Sequence, residues 1–134
     1  MTLEPVQPQD WKPPRGYSNG LRAARGARLL FVAGQIAWDA EQRLVGRSDF
    51  KAQFRRALAN VIAVVEAGGG RAWDIASLTV FVVDKQQYLA SARELGSVWR
   101  ELMGRHYPAM ALVEVAGLLE DGALVEIQGV AAIS

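Results

Sequence analysis

The chain has 134 residues, of which 51% are hydrophobic and 22% are charged. This length and composition are typical of one folded domain and exclude a chain that is disordered throughout. The 15 lysines and arginines almost balance the 14 aspartates and glutamates. Because non-specific nucleic-acid binding requires a strongly basic surface, we expect no nucleic-acid partner.

Several kinds of chemistry are excluded by the amino acids that are missing. The sequence has no cysteine, so disulfides, thiol nucleophiles and cysteine-ligated metals are excluded. The single histidine, His106, excludes a metal site built from several histidines of one chain. No stretch approaches the ~20 apolar residues that span a bilayer, and the N-terminus lacks the pattern of a secretory signal. We therefore expect a cytoplasmic protein with no membrane partner.

The predicted elements begin after a proline-rich arm. Four prolines in residues 1–16 favour neither a helix nor a central strand, so this arm is expected to precede a single domain over 17–134. The segments 17–24 and 29–33 flank a glycine-containing turn at 25–27. This pattern predicts a β-hairpin.

Two helices and three more strands are predicted along the rest of the chain. Apolar residues recur at steps of three and four from Phe50 to Ala67, which predicts an amphipathic helix. Ser48 or Asp49 can cap its start, and the glycines at 68–70 end it. The later elements are a strand over 78–83, a helix from Tyr88 to about His106, and strands over 110–118 and 124–133.

One face of the predicted sheet lacks a cover. Two helices that connect strands cover only one face of a sheet, yet the strands carry apolar residues on both faces, as at Leu112, Val113 and Val115. Burial against other subunits would cover the second face. The alternatives are a third layer formed by the arm, or a monomer that tolerates an apolar face.

Three residues within or beside these elements are candidates for chemistry. Glu126 lies in an apolar strand, where a buried carboxylate needs a partner or a raised pKa. It can form an ion pair across subunits, or act as a general acid or base or position a water molecule. Gly34 interrupts a strong strand, which permits either a bulge or the close approach of a ligand. His106 is expected at a helix end, where a cation interacts favourably with the helix dipole.

The sequence resembles the RidA/YjgF family from about Tyr17 to the C-terminus. The resemblance implies an α+β, chorismate-mutase-like fold with a mixed sheet, two helices on one face, and a homotrimer around a barrel-like core. It also implies a small-molecule cleft between each pair of subunits. There the best-known branch hydrolyses 2-imino or enamino acids to 2-keto acids and ammonia, without a metal or an organic cofactor. The motifs that carry the resemblance are 32–36, 57–61, 74–75, 79–82, 107–109, 113–115 and 125–127.

The resemblance also implies the residues of the cleft, and this sequence departs from the family pattern at some of them. Met110 stands where the active branch has an arginine that grips the substrate carboxylate, which a thioether cannot do. Ala33 replaces a serine, and Leu118 follows Gly117 where active members carry a basic residue. The substrate-binding residues implied are Tyr17, Ala33, Gly34, Gln35, Met110 and Leu118, with Glu126 as the water-positioning residue.

Two functions are compatible with these departures. The first is an imine or enamine deaminase whose substrate lacks the acid group or has it bound elsewhere; Arg22, Arg25 and Arg105 are then candidate cations or ordinary surface residues. The second is a small-molecule binding or regulatory trimer without turnover. The ribonuclease label used for the family is a third possibility that neither the charge balance nor a histidine pair supports.

Overall fold

The computed structural model describes residues 3–134 and contains a two-stranded ribbon, a four-stranded sheet and three α-helices. The sheet has the order β3-β6-β4-β5, in which β4 and β5 are parallel and the other neighbours are antiparallel. The fold is therefore α+β with a mixed sheet. No helix in the described residues is long and apolar enough to cross a membrane. The elements are β1 (Leu3–Val6), β2 (Gly20–Ala23), β3 (Arg28–Gln35), α1 (Phe50–Ala67), β4 (Ile75–Val82), α2 (Lys85–Ala90), α3 (Ala92–Met103), β5 (Ala109–Glu114) and β6 (Val125–Ile133).

Helix α1 confirms the prediction at both ends. The Asp49 side chain accepts a hydrogen bond from the backbone N–H of Ala52 at 3.1 Å, so Asp49 is the N-cap. Gly68 ends the helix. The apolar stripe of α1 packs against the sheet, where Leu58, Val61 and Val65 are fully buried.

The prediction of a single second helix is wrong, because the chain forms α2 and α3 with a break at Ser91. Ser91 has φ −100° and ψ 7°, and its N–H donates to the carbonyls of both Gln87 and Tyr88. Serine is a weak helix former because its side chain competes for backbone hydrogen bonds. Helix α3 ends at Gly104, whose φ of +64° favours glycine, so His106 lies beyond the helix end.

The prediction of a hairpin between the first two strands of the domain is also wrong. Strand β2 pairs with β1, which forms within the proline-rich arm, and not with β3. Just before β2, Ser18 bridges to Ala109 of β5. Because β5 and β3 are the opposite edges of the sheet, the chain crosses from one edge to the other between Ser18 and Arg28.

The two faces of the sheet differ in burial. The helix-facing side is filled by residues such as Leu78, Val82 and Ile127, each nearly or fully buried. The other side, here called the open face, confirms the predicted uncovered apolar surface: Phe31 is 74% exposed and Leu29 is 59% exposed. Strand alternation assigns to the open face Leu29, Phe31, Ala33, Ser77, Thr79, Phe81, Ala109, Ala111, Val113, Glu126, Gln128 and Val130.

Candidate functional site

The first half of the candidate site is formed by Gly34 and Glu126 on neighbouring strands. The pairing of β3 with β6 shifts register between Val32 and Gln35, so Gly34 lies in a bulge. A Cβ placed on Gly34 would lie only 2.9 Å from the Cδ of Glu126. The Glu126 side chain thus passes directly over the backbone at Gly34, and any side chain at position 34 would displace its carboxylate. The structure therefore shows both a bulge and a close approach.

The Glu126 carboxylate has no partner within the described chain. The side chain is half-buried on the open face, and it makes no hydrogen bond or ion pair among residues 3–134. A carboxylate that is partly removed from water and has no protein partner is free to hold a water molecule, a ligand or a group from another subunit.

The second half of the site is formed at the β5 edge by Tyr17 and Met110. Ser18 fixes the preceding segment there: its N–H donates to the Pro108 carbonyl at 3.0 Å, and its hydroxyl donates to the Tyr107 carbonyl at 2.5 Å. These bonds hold Tyr17 beside the start of β5, where it lines a cavity together with Met110.

Two cavities flank the β5 edge, and Tyr17 and Met110 line both. The larger one, about 400 Å³, lies between α3 and the helix-facing side of β4 and β5. The second, about 380 Å³, opens beside Ser77, Thr79 and Ala109 of the open face. A volume near 400 Å³ falls in the range of small-molecule sites. The larger cavity is lined by Arg15, Gly16, Tyr17, Phe54, Val80, Tyr88, Ala92, Leu95, Gly96, Trp99, Arg100, Tyr107, Met110, Ala111 and Leu112.

The aromatic wall of the larger cavity is held by the segment that follows α3. The Trp99 indole N–H donates to the His106 carbonyl at 3.1 Å, and the ring stacks on Tyr107 with centroids 6.1 Å apart. The His106 ring bonds to the Ile75 carbonyl, with Nε2 and the oxygen 2.7 Å apart. His106 therefore fixes the segment after α3 to β4, which differs from the predicted contact with the end of the helix.

The arginines that approach the cavity are not those considered from the sequence. Arg22 forms an ion pair with Glu4 on the ribbon. Arg25 and Arg105 are exposed and line neither cavity. Arg15 and Arg100 line the larger cavity instead. No sequence pattern distinguishes Arg15, since it lies in the proline-rich arm. The spacing of Gly96, Trp99 and Arg100 along one helix face could have indicated Arg100.

The other residues that the family resemblance implied are Ala33, Gln35 and Leu118. Ala33 and Gln35 lie beside the Gly34–Glu126 pair, and Leu118 lies apart from both halves of the site. Ala33 is exposed in β3, and the Gln35 side-chain amide donates to the Ala33 carbonyl at 3.2 Å. Leu118 is half-buried in the loop between β5 and β6 and lines neither cavity. Within one chain, the structure thus places Gly34 beside Glu126 and Tyr17 beside Met110. The two pairs lie on different parts of the sheet.

The electrostatic features of the described residues do not add a metal site. Among residues 3–134 no group of three or more acidic or histidine side chains could hold a metal ion. The pKa of Asp39 is lowered, mainly by the hydrogen bond from the backbone N–H of Arg43, with a further contribution from the N–H of Glu41. This carboxylate orders the loop that follows β3.

The fold is that of one protein family. The family model described as "Endoribonuclease L-PSP" matches residues 9–133. The chain belongs to this family, which is the RidA/YjgF family that the sequence motifs indicated.

Similar proteins come from archaea and bacteria. A RutC family protein of Synechocystis is 34% identical over 134 residues, covering 99% of this chain and 98% of the relative. A RutC family protein of Pyrococcus horikoshii is 33% identical over 120 residues, covering 90% and 89%. The crystal structure of the Rid family protein YyfB from Yersinia pestis, described as of unknown function, has a TM-score of 0.84 at 29% identity and covers 99% of this chain and 100% of that one.

Proposed function

We propose that the protein is an imine or enamine deaminase of altered substrate specificity, which assembles as a homotrimer with a cleft at each subunit seam. The observation that carries this proposal is the Glu126 carboxylate, which lies over the glycine bulge at Gly34 with no partner of its own among the described residues. Such a carboxylate is suited to orient and activate a water molecule.

The trimer explains why the site lies in two halves. Gly34 and Glu126 face the open side of the sheet, and Tyr17 and Met110 lie at its β5 edge. A neighbouring copy packed on the exposed apolar residues of the open face, including Phe31 and Leu29, would bury them and bring its own edge to the Gly34–Glu126 pair.

The proposed reaction is the hydrolysis of a C=N bond. Glu126 accepts a proton from a bound water as the water oxygen bonds to the imine carbon, and it passes this proton to the nitrogen. The nitrogen then takes the proton of the added hydroxyl group as the C–N bond breaks and the carbonyl forms. One imine and one water give one carbonyl compound and one ammonia. Backbone donors at the Gly34 bulge can hold the polar end of the substrate.

Met110 is the reason to expect an altered substrate. A charge-assisted hydrogen bond to a carboxylate contributes about 1.5–3 kcal/mol, or roughly one to two decades in affinity. Met110 provides no such bond. The cavity that it lines with Leu112 and Trp99 has its cations at other positions, Arg15 and Arg100. Small 2-imino acids held only through their carboxylate are therefore poor substrates for this cleft.

The proposal is tested by placing an arginine at position 110, where the active branch of the family has one. Simple 2-imino acids are generated in place by an amino-acid oxidase, and keto-acid release is compared with the uncatalysed rate. The natural chain is expected to accelerate release little, whereas Met110→Arg is expected to accelerate it about tenfold or more, because the carboxylate regains its partner. Gln86→Arg, which adds the same charge on an exposed position of α2, is the matched control.

The role of Glu126 is tested in the same assay. Adding Glu126→Gln to Met110→Arg is expected to lower the gained rate by about 10²-fold, in the range of general acid–base catalysis. High activity of the natural chain on simple 2-imino acids would contradict the altered specificity. No activity in any variant, on acids or on imines without a carboxylate, would leave the non-catalytic binding trimer as the correct function.

A further inference from the structure

The larger cavity combines an aromatic interior with positive charge and contains no acidic residue. Five aromatic rings line it, together with aliphatic side chains from β4, β5 and α3. Among residues 3–134, the only charged side chains in its wall are those of Arg15 and Arg100. An apolar interior with a few cationic groups at its wall selects a ligand with a large apolar body and an anionic end.

Both guanidinium groups are available to such a ligand. In the described residues neither Arg15 nor Arg100 forms an ion pair with an acidic side chain, and Arg100 makes only a long hydrogen bond of 3.4 Å to the Ser97 hydroxyl. Arginine binds carboxylates bidentately through its planar set of donors. Two such groups beside one cavity therefore favour a carboxylate ligand over a neutral one.

Gly96 gives an independent indication that this space is kept open. It lies inside helix α3, where glycine is a poor helix former. A Cβ at this position would meet only the Arg100 guanidinium, at an ordinary contact distance of 3.6 Å, and the residue has no positive φ. Neither crowding nor backbone conformation within the described chain requires glycine here, and a larger side chain at this position would occupy space in the cavity that Gly96 lines.

We infer that the larger cavity binds the aromatic body of a carboxylic acid whose carboxylate is held by Arg15 and Arg100 instead of by residue 110. The inference deepens the proposed function, on which it rests for the reacting group: the substrate becomes an imine or enamine of an aromatic acid. The binding itself involves only residues of the cavity and needs no turnover. Tyr17 and Met110, which line both cavities, connect this pocket to the open face.

The test is a calorimetric titration of the full chain with three probes. The probes are 3-phenylpropanoate, its neutral analogue 3-phenylpropan-1-ol, and propanoate, which keeps the charge but lacks the ring. We expect 3-phenylpropanoate to bind at least about tenfold more tightly than either of the others, since only it uses both the aromatic wall and the cations. Equal binding of the acid and the alcohol, or no binding of the acid, would overturn the inference.

Variants locate the binding in this cavity. The double variant Arg15→Gln with Arg100→Gln is expected to remove the tenfold preference for the acid and leave the affinity for the alcohol within about threefold. Arg93→Gln, which removes an exposed arginine of the same helix outside the cavity, is the matched control and is expected to keep the preference. An unchanged preference in the double variant would overturn the inference.

Gly96→Leu tests the cavity by filling it. This variant is expected to weaken binding of both aromatic probes at least about tenfold while the chain stays folded, because leucine favours the helix and the space is open. Undiminished binding would place the ligand elsewhere and overturn the inference. Binding of the acid without imine hydrolysis would refute the proposed function alone, and hydrolysis without binding of the acid would refute this inference alone.

Discussion

At the scale of single residues, the proposed chemistry rests on the contact between Gly34 and Glu126. The bulge at Gly34 and the side chain of Glu126 come from strands that pair in the sheet but are far apart in sequence. The sequence indicated that each was special, because a glycine interrupts a strong strand and a carboxylate lies in an apolar one. It could not show that one lies directly over the other, since that depends on the register of β3 against β6.

The pair can be tested by adding one methyl group. Gly34→Ala is expected to displace the Glu126 side chain, whose Cδ would lie 2.9 Å from the new Cβ. Because the end of a glutamate can rotate away, we expect the free energy of unfolding to change by less than about 1 kcal/mol. Imine hydrolysis in the Met110→Arg background is expected to fall about as far as in Glu126→Gln. Full activity with alanine at position 34 would contradict the role of this contact. Urea denaturation of the same sample shows whether the variant is folded.

The positions of Arg15 and Arg100 beside the cavity depend on contacts between distant parts of the chain. Arg15 belongs to an arm whose position is set by the bonds of Ser18 to the chain before β5. Arg100 lines the cavity because α3 and β5 form opposite walls of it. These are non-local contacts, which the sequence does not show. The candidate cations Arg22, Arg25 and Arg105 line neither cavity.

At the scale of elements, local sequence signals predicted a helix or strand correctly where several of them agreed. They failed where a strand pairs with a segment distant in sequence. Helix α1 was predictable because its cap, its apolar stripe and its terminal glycines all indicate the same ends. The pairing of β2 with β1 was not, because prolines weaken the strand signal of the arm. The break at Ser91 was missed because the apolar stripe continues through it.

A buried glutamine joins α1 to the strand that carries Glu126. The Gln53 side chain is fully buried; its amide donates to the carbonyls of Gly46 and Gly122, and its oxygen accepts from the Leu124 N–H at 2.8 Å. It thus fixes the turn before β6 to the loop before α1. No pattern in the sequence distinguishes this glutamine from an exposed one, apart from its place on the apolar stripe.

Replacing this glutamine should be costly. Gln53→Leu keeps a side chain of similar size but leaves the Leu124 N–H without its partner and removes a bond from the Gly122 carbonyl. Since an unsatisfied buried group costs about 1–3 kcal/mol, we expect the free energy of unfolding in urea to fall by at least about 2 kcal/mol. The exposed Gln86→Leu should stay within about 0.5 kcal/mol. Equal stability of the two variants would show that the hydrogen bonds of Gln53 do not stabilise the fold.

At the scale of the whole molecule, the open face links the fold to the proposed assembly. Helices α1, α2 and α3 cover one side of the sheet, and apolar residues such as Phe31 remain exposed on the other. The sequence predicted this imbalance from the number of helices and the apolar character of both strand faces. Gly34 and Glu126 lie on β3 and β6, whereas Met110 lies on the β5 edge. In the proposed trimer, each cleft therefore takes Glu126 from one subunit and residue 110 from its neighbour.

The most direct test of this claim is the activity of mixed assemblies on simple 2-imino acids. The natural chain, with Met110, and the double variant Met110→Arg with Glu126→Gln are each expected to be nearly inactive alone. After joint unfolding and refolding they should form particles of about three times 14.6 kDa by sedimentation, and some clefts will pair an arginine at position 110 of one subunit with Glu126 of another. The mixture is expected to be far more active than either parent, because those clefts combine the arginine with Glu126. Particles of one chain mass, or a mixed trimer no more active than its parents while Met110→Arg alone is active, would contradict it.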